Sequence, residues 1–465
     1  MYYCGIDIGT TNTKAIVIDD DLRIISRYHG GNICTLPGKK THAGDWYRNF
    51  CLAMEFFAEQ GCIKDRRIFC SLTGQGGSFA ILNGKFQPIS RAWLWTERGR
   101  TEIARKLAEG LGEAWFYHTT GWDVSSSLVA AKLADWKECG GRKFAQGKWI
   151  GGVPEFILAQ LTGQWMTDIT NAQITGLCDF EKGRWSGEIL DAIGLSADML
   201  PPIVPDLRIL CEDISTPWGT LTFGTSSHDQ YAAMKAAGLE ADRSMLVATG
   251  TAWVINRKTS QPVFDDAGYM SHPGRDFTEG GYGNIIGLSQ IGQIFERLLA
   301  RLGIDSSQLS DLEAGFDPQG FPRQRYNELV PEEASNAEQK IRRFMEWSAS
   351  RLEYVIEKLQ LTKGLEKLMI TGGAAQNSFL PQVIADLTGV VVETIEFPEF
   401  TAYGAALMAR EIATGEDSGG RIPPAVAIRC FEPKHSREYR DWFHTYQYEM
   451  FDKSYRELTF ITEVG

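Results

Sequence analysis

The chain has 465 residues, of which 43% are hydrophobic and 23% charged, the proportions of an ordinary globular protein of two or three domains. A formal net charge of −12 argues against a nucleic-acid or anionic-membrane partner. No apolar run reaches the ~18 residues of a membrane span, and strand-type residues from Tyr2 leave no room for a cleavable signal. Nine cysteines without a C-x-x-C pair point to reduced thiols in a cytoplasm, and seven histidines without H-E-x-x-H argue against a zinc site.

Residues 1–35 read as a β-meander, in which YYCGIDIG, TKAIVID and LRIISRYHG alternate with short turns. The first turn, Gly9-Thr10-Thr11, presents backbone N–H groups and hydroxyls, and glycine lets a bulky anion approach. By itself it is equally a plain tight hairpin. RRIFCSLTG is a further strand, with Gly74 to Gly77 at its carboxyl end. LTFGTSSHDQYAAMKAAG begins as a strand and becomes a helix near Ser227, with Ser226 and Ser227 as N-caps and Gly238 as C-cap. The second half restarts with strands over 245–257 around a second Gly-Thr turn, ATGTAWVI. Residues 336–359 form a long amphipathic helix with Ile341, Phe344, Met345, Leu352, Val355 and Leu359 on one face. GLEKLMITGGAAQNS is then a strand, a glycine turn and a helix, like RRIFCSLTGQGGS in the first half. The repeated order reads as an internal duplication of α/β class, and a helical tail is expected over about 432–460.

The Walker A, Rossmann and protein-kinase signatures are absent. Asp229 stands at a strand-to-helix transition, where a carboxylate can face a cleft and take a proton from a hydroxyl. Taken alone it reads first as a helix cap or a partner of the helix dipole, and His228 reads as a packed or half-exposed histidine. Asp7, at the end of the first strand, can hold a metal ion through water. Gly372-Gly373-Ala374 gives a flat bed for a planar ring, with Asn377 one turn later, or simply a turn that needs glycine.

In this order the pieces resemble the FGGY carbohydrate kinases, relatives of glycerol kinase and xylulokinase that share the two-domain fold of actin and the heat-shock ATPases. The motifs that carry the resemblance are GIDIGTTNTK, RAWLWTERGR, TGWDVSSSLVAAKLADW, GTSSHDQYAAMKAAG, ATGTAWVI and TGGAAQNSFLPQVIADLTGVVVETIEFPEFTAYGAALMA. The resemblance implies two related domains, residues 1–238 for sugar and phosphate and 239–465 for nucleotide, with the active site in the cleft between them. It also implies roles. Thr10, Thr11 and Asn12 match residues that grip the ATP phosphates, Lys14 a basic residue near them, and Asp7, with Asp229, a Mg²⁺ site. Asp229 matches the general base and Gln230 its neighbour on the sugar. Thr251 matches the second phosphate turn, Gly373 and Asn377 the adenine site, and Ser289 and Gln293 the lining of the nucleotide cleft.

The acceptor pocket departs from the family pattern. Gln75 is family-like, but Gly76 and Gly77 stand where glycerol kinases place Arg and Glu and xylulokinases Met and His. Glu97 replaces an Asp, Arg98 fits the glycerol kinase pattern, and Ser127 replaces a Tyr. These losses argue against glycerol and leave space for a larger substrate. The expected activity is ATP- and Mg²⁺-dependent phosphorylation of a ketose or polyol of about five or six carbons. The expected partner is that small molecule, with neither nucleic acid nor membrane, and a homodimer is left open. The alternative is an ATP-binding regulatory or sugar-sensing protein of the same fold without kinase activity. An actin-like filament protein gives no reason for Trp95-Thr96-Glu97-Arg98 or for Asp229 beside Gln230.

Overall fold

A computed structural model describes residues 1–32, 41–64, 66–250, 252–277, 280–288, 291–305, 309, 337–437, 439–441 and 443–444. The chain forms two compact units. The first comprises Met1–Leu239, Thr259–Asn284 and Glu399–Pro424, and the second takes the remaining described residues.

The first unit is built on the expected meander, β1 (Tyr2–Ile8), β2 (Asn12–Asp19) and β3 (Ile24–Gly31). The strand β4 (Arg67–Gly74) lies parallel to β1, and the antiparallel pair β5 (Ile209–Thr216) and β6 (Gly219–Gly224) completes the order β5-β6-β4-β1-β2-β3. A two-residue strand, β7 (Ser227–His228), pairs with the end of β4, Ser227 beside Thr73 and His228 beside Gly74. Ile8, Gly74 and His228 therefore end neighbouring parallel strands at one sheet edge, the edge where open α/β sheets bind ligands.

The strand β1 is buried on both faces, which its nearly unbroken apolar run requires. Cys4, Ile6 and Ile8 pack into the core that includes Trp46, Phe50, Met54 and Phe57 of the helix Ala43–Glu59. The other face meets the helix Phe400–Thr414. A Cβ on Gly5 would lie 1.9 Å from the Ala402 carbonyl oxygen, so glycine is what lets that helix lie against the strand. On the same helix, a Cβ on Gly404 would lie 1.9 Å from the Ala232 carbonyl oxygen of the helix Asp229–Ala237. The run of small residues in TAYGAALMA is a packing surface.

The second unit contains β8 (Ser244–Thr249), β9 (Trp253–Thr259), β10 (Lys367–Gly372), β11 (Val391–Ile395) and β12 (Ile428–Phe431). Their order is β9-β8-β10-β11-β12, with an antiparallel hairpin, two parallel neighbours and an antiparallel edge. That is the pattern of β2-β1-β4-β6-β5, so the duplication read from sequence is present in the topology. The amphipathic helix spans Ala337–Lys358 and buries Ile341, Met345, Leu352 and Val355. The expected C-terminal helix falls largely outside the described residues.

One local expectation is corrected. The helix begins at Asp229, with His228 at its N-cap position, because Ser227 and His228 are drawn into the sheet beside β4. Ser226 instead donates its hydroxyl to Asp168 Oδ2 at 3.0 Å. Gly238 closes the helix at φ 58°, as expected.

Candidate active site

The turn between β1 and β2 is braced from outside. Gly9 N–H donates to the Asn12 carbonyl at 3.1 Å, the Asn32 backbone N–H to the Thr11 carbonyl at 2.8 Å, and Asn32 Nδ2 to the Gly9 carbonyl at 2.7 Å. Thr13 donates to Asn32 Oδ1 at 2.6 Å, and Asn32 is buried. Thr11 stays exposed and Asn12 half-buried. Asp7 sits across from Lys14 in the β1–β2 register. Burial, and then the charge of Asp229, push Asp7 up to about 7, with Lys14 opposing.

A closed ring of hydrogen bonds joins this turn to the loop after β4. Trp95 Nε1 donates to Thr10 Oγ1 at 2.8 Å, and Thr10 donates to Gln75 Oε1 at 3.1 Å. Ser78 donates to the same oxygen at 3.2 Å, and Trp95 N–H returns to Ser78 Oγ at 3.0 Å. The buried Gln75 Nε2 has no partner. Lys132, fully buried, holds the Trp95 segment by donating Nζ to the Leu94 carbonyl at 2.8 Å. Burial lowers its pKa to about 8.

Asp229 opens its helix beside this edge. Its side chain is 31% exposed, recessed yet reachable. Burial pushes it up to about 6, partly offset by hydrogen bonds from the backbone and side chain of Gln230. His228 is almost wholly buried, with Nε2 3.2 Å from Asp229 Oδ1 and Nδ1 without a partner. Burial pulls its pKa down to about 4, against the nearby charge of Asp168. Asp168 fixes the approach to this corner. It accepts from Thr170 N at 2.9 Å, Thr170 Oγ1 at 2.5 Å, Asn171 Nδ2 at 2.6 Å and Ser226 Oγ. Thr170 Oγ1 in turn accepts from His228 N–H at 2.9 Å. Asn32, Lys132 and Asp168 were not singled out from sequence. The only local signals are a polar residue just past β3, a lysine inside the apolar stretch Leu128–Ala134, and a T-D-I-T helix start.

The expected acceptor residues fare differently. Gly76 does not leave a void. A Cβ there would lie 2.0 Å from His228 Cδ2, 2.2 Å from Nε2 and 2.6 Å from Ile174 Cδ1. The space expected from the small residue is filled by the imidazole. Gly77, at φ 71°, is open, and a Cβ there would find its nearest neighbour, Trp95 Cβ, at 3.5 Å. Glu97 turns away, accepting from Leu94 N–H at 2.8 Å and pairing with Arg91. Arg98 is exposed, and Ser127 Oγ lies 2.9 Å from Ser125 Oγ. Behind the loop Gln75–Phe79 is a cavity of about 40 Å³ whose polar lining includes Gln75, Ser78, Glu155, Thr167 and Asn171, room for a few waters at the ~10–15 Å³ each requires.

In the second unit, Thr251 and Ser289 lie outside the described residues. Gln293 is half-buried in the first turn of the helix Ile291–Leu302. Thr249 Oγ1 accepts from Ala374 N–H at 3.0 Å and donates to the Thr371 carbonyl at 2.7 Å, tying β8 to the glycine turn. Gly372 takes φ 95°, where a Cβ would meet the Thr249 carbonyl oxygen at 2.6 Å, whereas a Cβ on Gly373 finds its nearest neighbour at 3.7 Å. Asn377 is buried and turned inward. Its Oδ1 accepts from Leu380 N–H at 2.8 Å and its Nδ2 donates to the Ala374 carbonyl at 3.1 Å.

Residues 2–233 match the N-terminal domain of the FGGY family of carbohydrate kinases, and residues 325–410 match its C-terminal domain. The chain is 26% identical to a glycerol kinase from Gloeobacter violaceus, covering 87% of each chain. It is 25% identical to a glycerol kinase from Acaryochloris marina, covering 93% of this chain and 94% of that one. Among solved structures, a xyloylose kinase from Brucella ovis superposes with a TM-score of 0.83 at 20% identity, covering 97% of this chain and 99% of that one. The Plasmodium falciparum glycerol kinase with ADP gives a TM-score of 0.82 at 18% identity, covering 98% and 99%. With both family domains matched in order and the two-unit fold shared, the chain belongs to the FGGY family of carbohydrate kinases.

Proposed function

We propose that this chain transfers the γ-phosphoryl group of ATP to a hydroxyl of a small sugar or polyol, with Asp229 as the general base. One observation carries the reading. A recessed carboxylate, 31% exposed, stands at the carboxyl edge of the sheet that also holds the Gly9–Asn12 turn. Burial raises its affinity for a proton, which suits a group that accepts one from a substrate hydroxyl near neutral pH. Thr10, Thr11, Asn12 and Lys14 serve the phosphates. Thr251, Ser289, Gln293, Gly373 and Asn377 serve the nucleotide, Asn377 through its backbone and the turn it caps. Phosphoryl transfer asks little covalent chemistry of a protein, so positioning and charge neutralisation do most of the work.

Mg²⁺ fits the residues present. Asp7 and Asp229 bring like charges close enough for Asp229 to raise the Asp7 pKa, a repulsion that a divalent cation relieves, and hard oxygen donors suit Mg²⁺. No group of three or more His, Cys, Asp or Glu that could hold a metal occurs among the described residues. The protein would supply these two carboxylates, leaving the other positions to water and phosphate oxygens, as Mg²⁺ prefers. When bound, the ion neutralises charge on the phosphates.

The acceptor we propose is a ketose or polyol of about five or six carbons. Gly77 leaves open space beside Trp95, Gln75 Nε2 lacks a partner, and Gln230 flanks the base. Glu97 and Ser127 act by shaping the loops around the pocket, since their polar atoms have protein partners. A panel of polyols, ketoses and glycerol with Mg-ATP, read by ADP release, tests the reading. Turnover of one pentitol, hexitol or ketose well above glycerol supports it. Preference for glycerol overturns the size argument and keeps the kinase. Failure of every acceptor in a broad panel to elicit ADP release favours a sensing protein.

A further inference from the structure

His228 is packed, as its sequence allowed, and its ring lies between position 76 and the Asp229 carboxylate. Its ring fills the volume that a side chain at position 76 would need, with Cδ2 and Nε2 at 2.0 and 2.2 Å from a Cβ built there. The same Nε2 is 3.2 Å from Asp229 Oδ1. The backbone behind the ring is fixed twice, by pairing of His228 with Gly74 and by the bond from His228 N–H to Thr170 Oγ1. Ile174 closes the remaining side, since its Cδ1 is also within 2.6 Å of the position-76 Cβ. A ring held by strand pairing, a hydroxyl and a glycine has little freedom to leave the carboxylate.

We propose that His228 is a positioning residue for the transfer: Nε2–H holds the Asp229 carboxylate in one orientation, and Gly76 is glycine in order to admit the ring. The inference rests on the reading of Asp229 as the base. A carboxylate has about four lone-pair sites, so an imidazole N–H on Oδ1 and the bonds from Gln230 still leave one for the acceptor hydroxyl. Such contacts are often long in the free protein and tighten when substrate is bound. A glycine at 76 with any smaller residue at 228 would leave a void, and a larger residue at 76 would expel the ring. The two positions therefore act as one unit although they lie far apart in the sequence.

The test uses the full-length protein, Mg-ATP and the best acceptor from the panel. His228→Met keeps the volume and removes both nitrogens. His228→Gln keeps an N–H at about the position of Nε2. His228→Met is expected to lower kcat about tenfold, the worth of a hydrogen bond to a charged group, with KM for acceptor and ATP within about twofold and an unchanged melting temperature. His228→Gln should recover most of the loss. Gly76→Ala should lower kcat to a similar extent by displacing the ring, and Gly76→Ala with His228→Ala should be no worse than His228→Ala alone. Normal kcat in a folded His228→Met, or a loss that His228→Gln does not restore, overturns the proposal. Loss confined to KM does so too. Asp229→Asn run in parallel separates the two readings, because a fully active Asp229→Asn removes the base itself rather than its positioning partner.

Discussion

Trp95 donates its indole N–H to the hydroxyl of Thr10 at 2.8 Å, so an exposed aromatic on the loop proposed to face the acceptor is tied to the turn read as the phosphate grip. Thr10 has a single hydroxyl proton, which goes to Gln75 Oε1. A phosphate oxygen that claims this proton releases the Gln75 carbonyl. Trp95→Phe keeps the ring and removes the donor. It should raise KM for ATP by about two- to tenfold, the range of one neutral hydrogen bond, with the fold intact. Unchanged KM for both substrates would show the ring of bonds to be ornamental to binding.

Asp229→Asn should lower kcat by about 10²–10⁴, the usual contribution of a general base. ATP affinity, measured by calorimetry, should change little. Near-normal turnover would reduce Asp229 to a helix-terminal charge.

Gly373→Val tests the adenine bed. Gly372 has the left-handed backbone and the close contact, while Gly373 has its nearest neighbour at 3.7 Å. The substitution should therefore leave the melting temperature nearly unchanged and weaken ATP binding. Wild-type ATP affinity in the folded variant places the base elsewhere.

Gly5→Ala should be strongly destabilising, because its Cβ would stand 1.9 Å from the Ala402 carbonyl oxygen and 2.4 Å from the Ala406 nitrogen. Overpacking costs roughly 1–3 kcal/mol or more, and here the obstacle is backbone. Denaturant unfolding reads the loss, and a variant as stable as the parent would mean that the helix Phe400–Thr414 does not rest on β1.

Glu155 gives a pH signature. It is almost wholly buried, and burial pushes it up to about 7 from 4.5. Because the folded value is the higher one, the folded chain holds an extra proton between about pH 4.5 and pH 7. The contribution to stability is complete below the lower value and is lost as pH rises through the upper one. Glu155→Gln keeps an acceptor for Thr167 and removes the charge. It should gain roughly 1–3 kcal/mol over the parent at pH 8 and little at pH 5. Equal loss at both pH values would show that the carboxylate's hydrogen bonds outweigh its burial.

What was legible in the sequence was local. The meander, the two Gly-Thr hairpins and Asp229 at a strand-to-helix step are each written within about ten residues of chain. The supports of the site are not. Asn32 reaches back to Gly9 and Thr13, Lys132 to Leu94, and Asp168 to Ser226, and no short window contains both partners. Gly76 shows the same limit from the other side. A missing side chain read as space, but occupancy is decided by His228, which only the sheet brings alongside.

The helix Phe400–Thr414 also sets an order of assembly. It covers β1 yet is translated some 390 residues after that strand, so the first unit cannot be completed until nearly the whole chain has been made. Until then the Gly5 face is bare, and any product ending before residue 399 keeps it so. Cutting the gene after residue 238 would thus yield a sheet bare on one face in place of an autonomous half, and nascent chains of this protein are expected to lean on holding chaperones late into synthesis.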